Sequence, residues 1–299
     1  MKIAEHRDSS ETAHGSVRGW INGFIGVLLF SGSLPATRVA VLELDPIFLT
    51  AARAAIAAIL AIMVLFICGQ KRPKRSEIYS IAVVSVGCVV GFPLLSALAL
   101  QHVTSAHSMV FVGLLPLATA VFGVLRGGER PTLLFWIFSI LGGLLVTGYA
   151  IAQGSTFSPV GDALMIAAIV VCGLGYAEGA RLAKTLGGWQ VISWALVLSA
   201  PIVVVLAILY LPTSLIAIRI DTWIALGYVS FFSMFIGFIF WYRGLALGGI
   251  ASVGQLQLLQ PLFGLGLAAG LLHEEVGWEM VVVTLGVILC VAASRRFAR

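Results

Sequence analysis

An all-α integral membrane protein of ten transmembrane helices, arranged as two five-helix repeats of inverted topology, is the fold class this sequence predicts. Three observations carry it: an apolar composition, a one-sided distribution of basic residues, and a proline-to-glutamate pattern written twice. Of 299 residues, 60% are hydrophobic and 10% charged, against roughly 25% charged in ordinary globular domains. A helical span of hydrocarbon takes about 20 mostly apolar residues, so the chain has room for ten spans and none for a soluble domain beside them.

Breaks at charge clusters, Pro and Gly set helices at 17–40, 46–69, 77–100, 104–125 and 131–152, then at 159–184, 188–211, 221–247, 250–272 and 277–295. The polar residues 1–16 form a tail ahead of the first span, which lacks the short apolar core and small-residue cleavage site of a removed signal. With that tail cytoplasmic, 15 of the 18 Lys and Arg residues fall on the cytoplasmic side, leaving Arg38, Arg53 and Arg219 elsewhere. Excess positive charge marks that side. An even number of spans, both termini cytoplasmic, and a multi-pass location in the cell inner membrane follow.

The repeat is visible in GLLPLATAVFGVLRGGERP (113–131) and LLQPLFGLGLAAGLLHEEV (258–276). Pro116 and Glu129 stand 13 residues apart, as do Pro261 and Glu274, the pairs offset by 145. Five spans per half is an odd number, so the second half enters the membrane from the opposite face, which defines an inverted repeat. The basic turn GGER then emerges inside, and HEEV outside. Glu129 and Glu274 read as turn residues.

The excluded classes follow from missing chemistry. The four cysteines, Cys68, Cys88, Cys172 and Cys290, show no C-x-x-C spacing, so neither a disulfide framework nor a metal site is indicated. There is no H-E-x-x-H, G-x-S-x-G, P-loop lysine or Asp-rich cluster for a membrane-embedded lipid enzyme. The net charge of +5 is scattered between apolar runs rather than along one face, which argues against nucleic acid. No enzyme activity and no cofactor are expected. The expected partners are a small-molecule substrate and the lipid bilayer, with a monomer as the working unit.

The order of ALxL, a short turn, a helix with a central proline, a Gly/Leu-rich stretch ending in Glu and a Gly-rich last helix is similar to the EamA repeat of the drug/metabolite transporter superfamily. TAARAAIAA around Arg53 and ALMIAAIVVCGLGYAEGARLAK in the second half extend the resemblance over nearly the whole chain. It is most like the YddG-like amino-acid exporters. The resemblance implies a central cavity walled by spans 1, 3, 4, 6, 8 and 9, alternating access around it, and export of amino acids or similar small amphipathic metabolites. A multidrug or nucleotide-sugar carrier is the rival within the superfamily; a sugar nucleotide would ask for basic side chains in the cavity, and here they lie at helix ends. A channel is separated by saturation of flux.

Candidate residues follow from polarity inside apolar spans. Gln257 and Gln260, three apart before Pro261, are candidates for hydrogen bonds to a zwitterion, with helix-to-helix bonding as the alternative. His107 shares a helix face with Phe111 and is open between packing and ligand contact. Tyr176, Tyr228, Phe231 and Phe235 are aromatic candidates on the expected cavity spans, a composition suited to an amphipathic solute. Arg53, an expensive charge inside span 2, has two open roles: gating or attracting a carboxylate, or pairing with Glu43, Asp45 or helix-end carbonyls. Glu178 and Arg181 share a face as an ion pair, with Glu178 among the very few acids placed to carry a proton. Pro116 and Pro261 free carbonyls one turn upstream and mark pivots. Trp20, Trp136, Trp189, Trp223, Trp241 and Trp278 read as interfacial anchors.

Overall fold

A computed structural model describes residues 2–127, 132–152, 158–248 and 253–296, and no strand occurs among them. We label its helical segments α1 (Val17–Val41), α2 (Pro46–Ile67), α3 (Arg75–Ala99), α4 (Ser105–Leu125), α5 (Leu133–Ala152), α6 (Pro159–Leu186), α7 (Gly188–Leu209), α8 (Ile220–Gly248), α9 (Leu256–Leu272) and α10 (Trp278–Arg296). Among the described residues, seven helices are long and apolar enough to cross a membrane: α1 to α4 and α6 to α8. Shorter apolar stretches lie at Trp136–Leu145 in α5, Leu256–Leu272 in α9 and Trp278–Cys290 in α10. Helix α1 also extends back to Lys2, so the N-terminal tail is helical where it joins the first span.

The helices expose large apolar side chains, unlike those of a water-soluble bundle, and several bury small residues against their neighbours. On α7, Leu198, Ile202, Val205 and Leu209 form an exposed stripe at helical spacing. On α2, Ala51, Ala54, Ala57, Ala58 and Ala61 are buried while Ile62, Met63, Phe66 and Ile67 face outward. Small residues let neighbouring backbones approach, and a lipid-facing surface tolerates the large ones. The tightest seam joins α1 to the last third of α8. A Cβ added at Gly19 would lie 2.5 Å from the Gly248 nitrogen, and one at Gly244 would lie 2.6 Å from the Gly23 nitrogen.

Exchanging the two halves leaves the packing pattern unchanged. Helix α2 packs on α7, α4 on α9 and α5 on α10, each on its own counterpart, and the α1–α8 pair is matched by α3–α6. Local irregularities repeat as well. A π-helical turn interrupts α3 at Ser85–Gly91 and another interrupts α8 at Val229–Ile236, their starts 144 residues apart. In α3 the turn precedes Pro93, which has no N–H to continue the ladder. Helix α4 breaks between Val112 and Leu115, just before Pro116, and α9 begins as a 3-10 segment, Gly254–Leu259, just before Pro261. Both prolines therefore sit beside a break in the regular ladder.

Capping explains the ends. Asp45 accepts from the backbone N–H groups of Ile47 (2.8 Å) and Phe48 (3.2 Å), starting α2 with Pro46 in the first turn. Helix α9 stops at His273, which takes the left-handed conformation at φ 53°, with the N–H of Glu274 returning to the Ala268 carbonyl.

Candidate functional site

At the centre, α1, α6 and α8 contribute an aromatic cluster. Phe30 meets Phe238 edge-on with centroids 5.0 Å apart, and Tyr176 lies 5.9 Å from Phe238 and 5.7 Å from Trp241. Tyr242 extends the cluster at 5.5 Å from Phe238, its hydroxyl 3.6 Å from the Cys88 sulfur in the α3 π-turn. Glycine permits the approach: Gly26 lies against the Trp241 backbone, and the Gly237 Cβ position is occupied by the Phe30 ring. Trp241 is thus a core residue at 1% exposure, a correction to its reading as an interfacial anchor.

Polar atoms are sealed into this apolar surrounding. Gln257 is 1% exposed and lies beside the Tyr176 hydroxyl, but among the described residues neither of its amide atoms makes a hydrogen bond of good geometry; Gln260 is 3% exposed with its oxygen likewise unpaired. The Trp241 indole N–H is also without an acceptor. Burying an amide with no hydrogen bond costs about 1–3 kcal/mol. Of the other aromatic candidates, Phe235 is buried, and Tyr228 is half-buried, donating to the Leu29 carbonyl at 2.7 Å. Phe231 is 40% exposed and makes none of the cluster's ring contacts, so it stands apart from this group.

A second polar group lies where α4, α5 and α6 meet. The His107 Nε2 is 2.7 Å from Asp162 Oδ1, and its Nδ1 is 3.3 Å from the Tyr149 hydroxyl. Phe111 and Tyr149 flank the imidazole at centroid distances of 5.4 and 5.3 Å. Thr104 caps α4 by accepting from the His107 N–H. Asp162 is buried and its Oδ2 has no partner. Asp162, in the first turn of α6, is thus a further buried acid beside Glu178, and only the tertiary fold brings it to His107. Nearby, Glu274 caps the start of α4, accepting from Ser105 Oγ (2.8 Å) and from the Ala106 N–H (2.8 Å). Its counterpart Glu129 lies outside the described residues.

At the opposite end of the bundle, Glu178 accepts from Ser80 Oγ at 2.6 Å and pairs with Arg181, which also reaches Ser80 Oγ at 3.1 Å. The carboxylate side chain is fully buried while the arginine side chain is 57% exposed.

Arg53 is buried, with Nη2 3.3 Å from Ser233 Oγ in the α8 π-turn, and Ser233 is 2.8 Å from Ser33 Oγ on α1. The acids expected beside it are engaged elsewhere. Glu43 accepts from the Arg219 N–H (2.9 Å) and Thr222 Oγ1 (2.7 Å), and Asp45 caps α2. Pro116 and Pro261 are both buried.

An apolar-surfaced helical bundle whose two halves pack against each other is the construction of a multi-pass membrane protein. The chain belongs to the EamA-like transporter family, which matches it twice, at residues 17–149 and 159–295. It is 65% identical over 284 residues to Uncharacterized transporter YdeK of Bacillus subtilis, covering 95% of this chain and 99% of that one. Uncharacterized transporter YyaM of the same organism is 27% identical, over 69% and 70% of the two chains. An uncharacterized transporter of Archaeoglobus fulgidus is 23% identical, over 83% and 87%. In fold, the chain resembles a protein of known crystal structure with a TM-score of 0.66 at 20% identity, over 94% of this chain and 99% of the other.

Proposed function

We propose that this transporter exports neutral amino acids, aromatic ones included, or similar small amphipathic metabolites across the cell inner membrane. It works as a monomer by alternating access between two inverted five-helix repeats, 17–152 and 159–295, behind a cytoplasmic tail at 1–16. All ten helices cross the bilayer in this reading, with both termini cytoplasmic. The packing pattern that survives exchange of the halves, and the paired π-turns, support the inverted arrangement.

The observation that carries the substrate class is Gln257: a sealed amide beside the Tyr176 hydroxyl, with no hydrogen bond of good geometry among the described residues, next to an aromatic cluster of Phe30, Tyr176, Phe238 and Trp241. Apolar walls with a few unsatisfied polar groups suit a small solute that is apolar on one side and polar on the other. A sugar would ask for a denser polar lining, and an inorganic ion for charged ligands. Movement runs down the substrate gradient without an obligatory coupling ion. Glu178 and the His107–Asp162 pair are the groups through which a proton would act if one did.

The test is flux in liposomes reconstituted with purified protein, using a labelled amino-acid panel that includes phenylalanine, threonine and methionine, with and without a pH gradient. Saturable uptake of at least one, unchanged by the pH gradient, is the expected result. Background flux for the whole panel would end the reading, and uptake that appears only with a pH gradient would end its uncoupled form.

A further inference from the structure

We infer that Arg53 is the carboxylate-binding group of this transporter, so that its substrates carry a free carboxylate next to an apolar or aromatic body. The inference rests on the amino-acid reading above and adds to it which group of the substrate is held, and where.

Arg53 is 3% exposed, and among the described residues the hydrogen bond its guanidinium makes is to a neutral hydroxyl, Ser233 Oγ. Its Nε has no partner, and neither has Thr50 Oγ1, one turn earlier on the same helix. Among the described residues no carboxylate stands within ion-pair distance of it; the nearest acids in sequence, Glu43 and Asp45, are occupied by Thr222, the Arg219 N–H and the start of α2. A buried cation without an anion is one of the costliest arrangements a protein can keep. Arginine cannot escape by deprotonation as lysine can. An arrangement that costly is explained when an anion completes it during the working cycle.

The surroundings specify which anion. Helix α1 is interrupted at Gly32, immediately before Ser33, and Ser233 lies in the π-turn of α8. Irregular backbone on both sides of the guanidinium leaves main-chain groups outside the regular ladder, as at the substrate sites of transporters with discontinuous helices. The Tyr228 hydroxyl already takes one of these groups, the Leu29 carbonyl. Within one turn of Ser33 on α1 stands Phe30, and within two turns of Ser233 on α8 stands Phe238; their rings touch at 5.0 Å. The two serines at the guanidinium therefore lie within two turns of the aromatic cluster along both helices. A planar guanidinium offers parallel N–H groups to a carboxylate, and Nε is one of the donors left over. A zwitterion with an apolar side chain would set its carboxylate on Arg53 and its body on Phe30 and Phe238.

The experiment uses the full-length protein in detergent and in liposomes. Thermal melting of the wild type is followed with phenylalanine, its amide, phenethylamine, and the simple acids phenylacetate and benzoate. Flux of the acid and the amine is then compared in wild type, R53Q and R53K. We expect the carboxylate-bearing ligands to raise the wild-type melting temperature while the amide and amine leave it unmoved. We expect R53Q to lower phenylalanine flux about 30-fold, removing the preference for acid over amine, with R53K keeping only part of it.

Amino-acid flux equal in wild type and R53Q would overturn the inference while leaving the amino-acid reading standing. Wild-type stabilisation by phenylacetate or benzoate but no amino-acid flux would do the opposite. A wild-type melting temperature unmoved by every carboxylate would overturn the inference without any variant, so a poorly folding R53Q does not shelter it.

Discussion

His107 of α4 and Asp162 of α6 meet across the two halves of the chain, the imidazole Nε2 2.7 Å from the carboxylate oxygen, with both side chains buried. The Tyr149 hydroxyl holds the other ring nitrogen, so the imidazole is fixed at both ends. Removing one partner leaves the other's hydrogen bond unmade in a buried setting, which costs about 1–3 kcal/mol. Asp162→Ala and His107→Ala should each destabilise by that order, and the double variant by little more than either. Asp162→Asn keeps an acceptor for the ring and should cost about 1 kcal/mol. Unfolding in detergent, analysed as a double-mutant cycle, checks this; additive losses would mean the contact carries no coupling.

Glu274 closes a second link between the halves at the same end of the bundle. Its carboxylate accepts from Ser105 Oγ and from two backbone N–H groups, those of Ser105 and Ala106, at the start of α4. Free N–H groups and the positive end of the helix dipole both favour an anion there. Glu274→Ala should cost about 1–2 kcal/mol, and Glu274→Gln less, because the amide oxygen still accepts. A lower melting temperature for Glu274→Ala with saturable transport retained is the expected outcome, since this carboxylate shapes a helix start and touches no part of the aromatic cluster.

Much of this was legible from residues alone, and the exceptions share a cause. The prolines were readable because a missing N–H acts locally: Pro116 and Pro261 each stand beside a break. Gln257 and Gln260 were readable because an amide in an apolar run is conspicuous wherever it points. Trp241 was misread because Arg243 follows two residues later and made the position look interfacial; its burial is imposed by Gly26, more than two hundred residues away in sequence. Asp162 stands in the first turn of α6, and only the fold brings His107 to it. Arg53 had two acids within ten residues, but one caps its own helix and the other crosses to α8. The α8 π-turn has no proline to announce it.

The central cluster makes a prediction about selectivity rather than stability. Gln257 makes no hydrogen bond of good geometry among the described residues, so Gln257→Ala should leave the fold about as stable as it is. Flux should nonetheless fall, by about 10-fold for the loss of a hydrogen bond to a charged ligand group. Gln260→Ala should act in the same direction. Trp241→Ala, by contrast, opens a cavity in a packed core and should cost about 3–5 kcal/mol. Parallel melting and flux measurements separate the two behaviours; unchanged flux in both glutamine variants would remove them from the substrate path.

The glycines divide by what surrounds them, and the division can be tested with one added methyl group. At Gly244 a Cβ would stand 2.6 Å from the Gly23 nitrogen and 2.9 Å from its Cα, backbone atoms that cannot swing aside. Gly244→Ala should force α1 and α8 apart at a cost of about 1–3 kcal/mol. At Gly266, inside α9, a Cβ would meet nothing within 4 Å. There the helix gains the conformational advantage of alanine over glycine, about 1 kcal/mol, so Gly266→Ala should raise the melting temperature that Gly244→Ala lowers. If Gly266 instead belongs to a surface that must slide during the cycle, its alanine variant will be more stable yet slower in flux, and the same pair of measurements reads both effects. A Gly244→Ala protein as stable as wild type would mean that the α1–α8 seam is not the close backbone contact described.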